Sequence, residues 1–217
     1  MKHVYFIRHG QTIANRKSIH QGPDEPLSLD GRRQAERVGL FMKGRDIDTL
    51  VCSTYVRARE TAELIGRELG LPYSMHESVR EFGRPKYLYN KGHYTLASLL
   101  YIWRLFVHRD DPAWDDHGAE NMFSVRNRVL DAKAMIAGLE GEKIVVVSHA
   151  IFMDMFIELA CREKKLTLYQ FVGSLLNIKK TPNTGILHTF YDENAPKGVC
   201  KWQFVEFIDP RTDSPLA

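Results

Sequence analysis

The stretch "HVYFIRHGQT", His3 to Thr12, decides how the rest of the chain is read. Val4 to Ile7 form a short apolar and aromatic run of the kind that is buried on both faces of a sheet, and it stops at Arg8-His9-Gly10. A cation and an imidazole therefore stand where a strand ends. Two further runs have the same character: "TLVCS" from Thr49 and "KIVVVS" from Lys143.

Each run is followed by a helical pattern. In "DGRRQAERVGLFMKG", Asp30 is placed to cap a helix whose Ala35, Val38 and Met42 share one side and which stops at Gly44. In "YVRARETAELIGRELG", Thr61, Leu64, Ile65 and Leu69 line one side and Gly70 is the expected left-handed terminator. Val125, Val129, Ala132, Ile136 and Leu139 give the stripe of a third helix, closed by Gly141. Near the end, "GILHTFYDE" and "VCKWQFVEFI" flank "NAPKG", which predicts an antiparallel hairpin with a five-residue connection at a sheet edge. Strands alternating with helices predict a three-layer α/β/α fold around a mostly parallel central sheet. With no internal repeat or linker, residues 1–217 are expected to form a single domain.

Composition narrows the function classes. At 217 residues, 44% hydrophobic and 26% charged, the chain has enough apolar material for a substantial core. A net charge of +3 without a run of Lys or Arg gives no case for nucleic acid as a partner. The greasiest segment, "SLLYIWRLFV", is too short to span a bilayer and contains Arg104, so no membrane partner is expected. Cys52, Cys161 and Cys200 are far apart and form no CxxC pair, which predicts reduced thiols rather than a disulfide framework or zinc site. No secretory signal pattern opens the sequence, and a cytoplasmic location is the expectation.

Ligands of open α/β sheets bind beyond the carboxyl ends of the strands. Arg8 and His9 follow the first strand, Arg57 comes shortly after the second, and His149 directly after the third. Taken alone, each fits a boundary or surface role. Together they bring cations to one rim, where an external anion would neutralise them. Guanidinium groups match phosphate oxygens in bidentate fashion, and an imidazole between them has the chemistry to attack phosphorus. The cations around His9 should favour its neutral, nucleophilic form.

"RHGQT" from Arg8, "RARETA" from Arg57 and "VVVSHA" ending at Ala150 resemble the signature segments of the histidine phosphatase superfamily, which includes cofactor-dependent phosphoglycerate mutases. The resemblance implies a phosphoglycerate mutase-like fold. It implies that His9 is transiently phosphorylated, while Arg8, Arg57 and His149 hold the transferring phosphoryl group and Asn15 adds a side-chain donor. It further implies that Glu81, in "VREFGRP", is the general acid for the leaving oxygen, which requires the carboxyl to hold a proton, and then the base toward water. No cofactor and no metal is implied. The remaining histidines are expected at surface or boundary positions.

The segment after Glu81 departs from the family pattern. Residues from about 84 to 118 are expected to form a cap over the crevice, rich in aromatic rings: Tyr87, Tyr89, Tyr94, Tyr101, Trp103, Phe106 and Trp114. These rings are expected to pack the cap or a homodimer interface; the sharper alternative is a pocket for a bulky phosphomonoester. Glu120 is read as a contact to substrate hydroxyls or to a helix dipole, and Asn183 and Thr184 as turn residues. The leading functional expectation is a phosphatase acting on a small-molecule phosphomonoester. Mutase-type phosphoryl transfer and a non-catalytic phospho-ligand binding protein are the alternatives.

Overall fold

The computed structural model describes residues 1–161, 181–212 and 214–216. Its strands are β1 (Lys2–Arg8), β2 (Thr49–Ser53), β3 (Tyr73–His76), β4 (Lys143–Ser148), β5 (Ile186–Tyr191), β6 (Trp202–Asp209) and β7 (Ser214–Leu216). Its helices are α1 (Ile13–Lys17), α2 (Leu29–Lys43), α3 (Val56–Leu69), α4 (Leu96–Val107), α5 (Met122–Gly138) and α6 (Ala150–Glu158). The strands form one sheet in the order β3-β2-β4-β1-β5-β6-β7. The β3-β2-β4-β1 part is parallel, and the remaining three strands pair antiparallel in turn.

Alternation along the central strands builds the three layers. Val4 and Phe6 of β1, with Ile144 and Val146 of β4, face a core shared with α5 and α6. Tyr5 and Ile7, with Val145 and Val147, face the opposite core, shared with α2 and α3. Because both faces are covered, the apolar runs are continuous rather than alternating. Each fully buried aliphatic or aromatic side chain contributes about 1.5–3 kcal/mol relative to exposure.

Several expectations need correction. Ser28, not Asp30, caps α2: its hydroxyl accepts from Gly31 N at 3.0 Å, and Asp30 lies in the first turn. Both side-chain types suit a cap, and two residues separate them. Helix α5 ends at Gly138, while Gly141 occupies a later turn at φ 88°, where a Cβ would lie 2.4 Å from Asp48 Cβ. The β5–β6 connection runs from residue 192 to 201, longer than "NAPKG" alone, and β7 covers the outer side of β6, so the hairpin is not at the edge.

The cysteines also differ from expectation. Cys161, just after α6, is disulfide-bonded to Cys200, just before β6, with a Cα–Cα distance of 5.1 Å. The argument for reduced thiols, and with it the cysteine support for a cytoplasmic location, does not hold. Cys52 is buried and free, its thiol pushed up to about 12 by burial. Among the described residues, no helix is long and apolar enough to cross a membrane.

Candidate active site

The carboxyl ends of β1, β2 and β4 meet at one crevice. His9 leaves β1 with its backbone N–H donating to Ser148 O at 3.0 Å, which ties the loop to β4. The loop then presses on the start of α2: a Cβ on Gly10 would lie 2.4 Å from Gly31 O, and one on Gly31 would lie 2.0 Å from Gln11 O. Only glycine at both positions permits this approach.

The His9 ring is buried, and its Nδ1 lies 2.7 Å from Gly10 O. A carbonyl oxygen only accepts, so Nδ1 carries the proton and Nε2 presents a lone pair to the crevice. Arg57 Nε donates to that nitrogen at 3.3 Å. Burial, reinforced by Arg57 and Arg8, holds His9 well below the usual histidine range; the Gly10 carbonyl opposes this weakly. The neutral imidazole expected from the neighbouring cations is thus reached chiefly through burial.

Arg57 enters from the first turn of α3, fully enclosed, with Nη1 donating to Gly22 O at 2.8 Å and its guanidinium 5.0 Å from the Tyr55 ring centroid. Burial lowers it to about 10, while Glu81 pulls the other way. Arg8 Nη1 donates to Thr181 O at 2.5 Å. Burial lowers Arg8 as well, opposed by Glu81 and Asp154.

His149 stands at the residue before α6, without a side-chain capping bond, and is completely buried. Its Nε2 meets the Ser53 hydroxyl at 2.8 Å, and its ring centroid is 5.2 Å from that of His9. Its Nδ1 is buried with no hydrogen-bond partner among the described residues. Burial, then Arg57 and His9, hold it well below the usual histidine range. A buried polar atom left open beside two guanidinium groups is suited to an oxygen brought by a ligand.

Glu81 belongs to the same crevice. Its Oε1 accepts from Phe82 N at 3.0 Å and from Phe152 N, in the first turn of α6, at 3.2 Å. Asn15 is close but partly committed: its Oδ1 accepts from Thr12 N at 3.1 Å and from Asn183 Nδ2 at 3.2 Å, leaving its own Nδ2 as the donor that could face a ligand. The structure therefore gathers Arg8, His9, Arg57, Glu81 and His149, with Asn15 at the margin.

Ser53, Thr181 and Asn183 were not singled out as site residues from the sequence. Asn183 also donates to His9 O at 3.0 Å, so its role exceeds that of a turn residue, while Thr184, at φ 60°, does form the turn. Glu120 is not the cap of α5 and its carboxylate is engaged by two arginines. Asn121 caps α5, and Glu120 accepts from Arg128 at 2.7 and 2.8 Å, from Gly83 N at 2.8 Å and from Arg80 at 3.2 Å. That network fixes the backbone two residues beyond Glu81.

The aromatic residues between 84 and 118 divide into two sets. Tyr87, Tyr101 and Trp114 pack into the core, with Tyr87 donating to Asp116 Oδ2 at 2.6 Å. Tyr89 lies against Gly22, whose carbonyl holds Arg57. Tyr94, Trp103 and Phe106 point outward. The segment from residue 91 to 93 is tied to the loop after α1 by His20 N donating to Lys91 O at 2.9 Å and His93 N donating to Ser18 O at 3.1 Å.

Known proteins resemble this chain in sequence and in fold. The chain is 30% identical over 160 residues to "Probable phosphoglycerate mutase GpmB" of Citrobacter koseri, a match covering 72% of this chain and 74% of that protein. In fold it resembles the alpha-ribazole phosphatase of Shigella flexneri, with TM-score 0.73, 16% identity and 96% of each chain covered. It also resembles a phosphoserine phosphatase variant from Entamoeba histolytica bound to phosphoserine, with TM-score 0.72, 21% identity, and 97% of this chain and 98% of that one covered. Residues 4–187, which contain every site residue described above, match the family described as "Histidine phosphatase superfamily (branch 1)", and the chain belongs to that superfamily.

Proposed function

We propose that the protein is a phosphomonoesterase that forms a covalent phosphohistidine at His9. The observation that carries this reading is the 2.7 Å contact between His9 Nδ1 and Gly10 O, which leaves Nε2 as the nucleophile beside Arg57. In the first step, the Nε2 lone pair forms a bond to phosphorus as the bond to the leaving oxygen breaks, and Glu81 protonates that oxygen. Arg8 and Arg57 neutralise and orient the equatorial oxygens; the Nδ1–H of neutral His149, whose Nε2 accepts from the Ser53 hydroxyl, and Asn15 Nδ2 add uncharged donors. In the second step, Glu81 takes a proton from water, which attacks the phosphohistidine and returns His9 to its neutral form.

The test is intact-protein mass after brief mixing with an aryl phosphate and an alkaline quench. A phosphate adduct that survives base, is lost in acid and is absent from His9→Ala is expected. Turnover by the native protein that persists in His9→Ala would overturn the reading. A second reading, mutase-type transfer, is favoured by the mutase name of the Citrobacter koseri relative. Isomerisation of a phosphoglycerate that depends on added bisphosphoglycerate would select it. Phosphopeptide binding by a native protein without turnover would instead select a binding role.

A further inference from the structure

Helix α4 carries an apolar face that the other described residues do not cover. Ser98, Tyr101 and Leu105 turn inward, whereas Leu96, Leu99, Leu100, Trp103, Phe106 and Val107 face outward. Leu96 is 72% exposed and Trp103 59%. A helix that is apolar on its outer side as well as its inner side is expected to be buried in the working protein. The outward positions recur every three to four residues, the spacing of a helix–helix seam.

We propose that this face is a two-fold dimer interface in which α4 packs antiparallel on α4 of a second copy of the chain. The stripe is apolar along its length, so reversing its direction presents the same chemistry. The Leu96 end of one helix then lies against the Phe106–Val107 end of the other, and Leu100 and Trp103 lie near the axis, as an isologous contact requires. Its size is suitable: six large side chains at these exposures offer on the order of 600 Å², most of the roughly 800 Å² that each partner of a stable complex buries. Tyr94 and Ile102, also exposed, extend the rim.

Charge favours a copy of the chain over a lipid surface. The outward stripe has no charged residue, and its neighbour Arg104 is already paired with Asp116 at 3.3 Å. From residue 91 to 116, three cations (Lys91, Arg104, Arg109) face four acids (Asp110, Asp111, Asp115, Asp116). An anionic membrane requires the opposite balance.

Sedimentation equilibrium of the full chain at micromolar concentration should give a dimer. The double variant Leu99→Glu with Phe106→Glu should give a monomer, while Leu40→Glu, which places the same charge on the exposed side of α2, should remain dimeric. Because the double variant could fail to fold, Leu100→Cys supplies an independent measurement. Under mild oxidation it should form a covalent dimer, and Leu40→Cys should not. A native monomer would overturn the proposal, as would a dimer that survives the double substitution without cross-linking at residue 100. A monomer that floats with anionic vesicles would assign the face to lipid and overturn it equally.

Discussion

His149 Nε2 and the Ser53 hydroxyl meet at 2.8 Å across 96 positions of sequence, joining the end of β4 to the end of β2. The contact occupies one ring nitrogen and leaves Nδ1 buried without a partner among the described residues. Ser53→Ala leaves a buried nitrogen unsatisfied, a loss of about 1–3 kcal/mol. The expected result is a roughly 10-fold or greater fall in kcat with a smaller change in KM, checked by steady-state kinetics on an aryl phosphate.

Glu81 should matter in proportion to the difficulty of the leaving group. Glu81→Gln keeps the shape but cannot donate the proton, so hydrolysis of alkyl phosphates should fall by about 10²–10⁴. Nitrophenyl phosphate, whose phenolate leaves without help, should be far less affected in the phosphorylation step. Equal losses for both leaving groups would remove Glu81 from the role of acid.

Buried histidines make the fold sensitive to acid. Burial holds His9 and His149 well below the ordinary value, and it lowers His20, with help from Arg84 and His93, to about 3. Above pH ~6.5 neither folded nor unfolded chain protonates these rings, so they leave stability unchanged. Below it the unfolded chain binds the extra protons, and stability falls as pH falls, by about 1.4 kcal/mol per pH unit for each such group. Urea midpoints should therefore drop steeply below pH ~6.5, and His20→Gln should reduce the slope by about one proton.

Glu120 holds two guanidinium groups and a backbone N–H in a nearly closed site. Glu120→Ala leaves Arg128 buried without its carboxylate, at a cost of about 3–5 kcal/mol. Thermal unfolding should shift down by about 10 °C.

The Cys161–Cys200 bond closes a loop of sequence separation 39. Cys200→Ser, or reduction of the native chain, should lower stability by about 2–4 kcal/mol, read from denaturant unfolding with and without reductant.

The legible part of this molecule is the part written locally. Val4–Ile7, Thr49–Ser53 and Lys143–Ser148 could be read as strands because burial on both faces leaves unbroken apolar runs, and Arg8, His9, Arg57 and His149 followed because strand ends point at the site. β3 was not legible: its residues are largely exposed and carry no such pattern. Nor were Ser53, Thr181 and Asn183, whose contacts with His149, Arg8 and His9 span 96, 173 and 174 positions. The same distance hid the disulfide. Glu81 came from the family resemblance alone, since its anchor on Phe152 N exists only after α6 is placed beside it.

The strand that leads into His9 pairs with residues 143–148 on one side and 186–191 on the other. That strand therefore has no neighbours in the sheet until both of these later segments have been made. Long-range closure of this kind slows folding. A chain whose sheet is still open carries the imidazole without the Arg57 guanidinium and the β4 end that stand beside it, so the site is assembled only with the closing of the sheet.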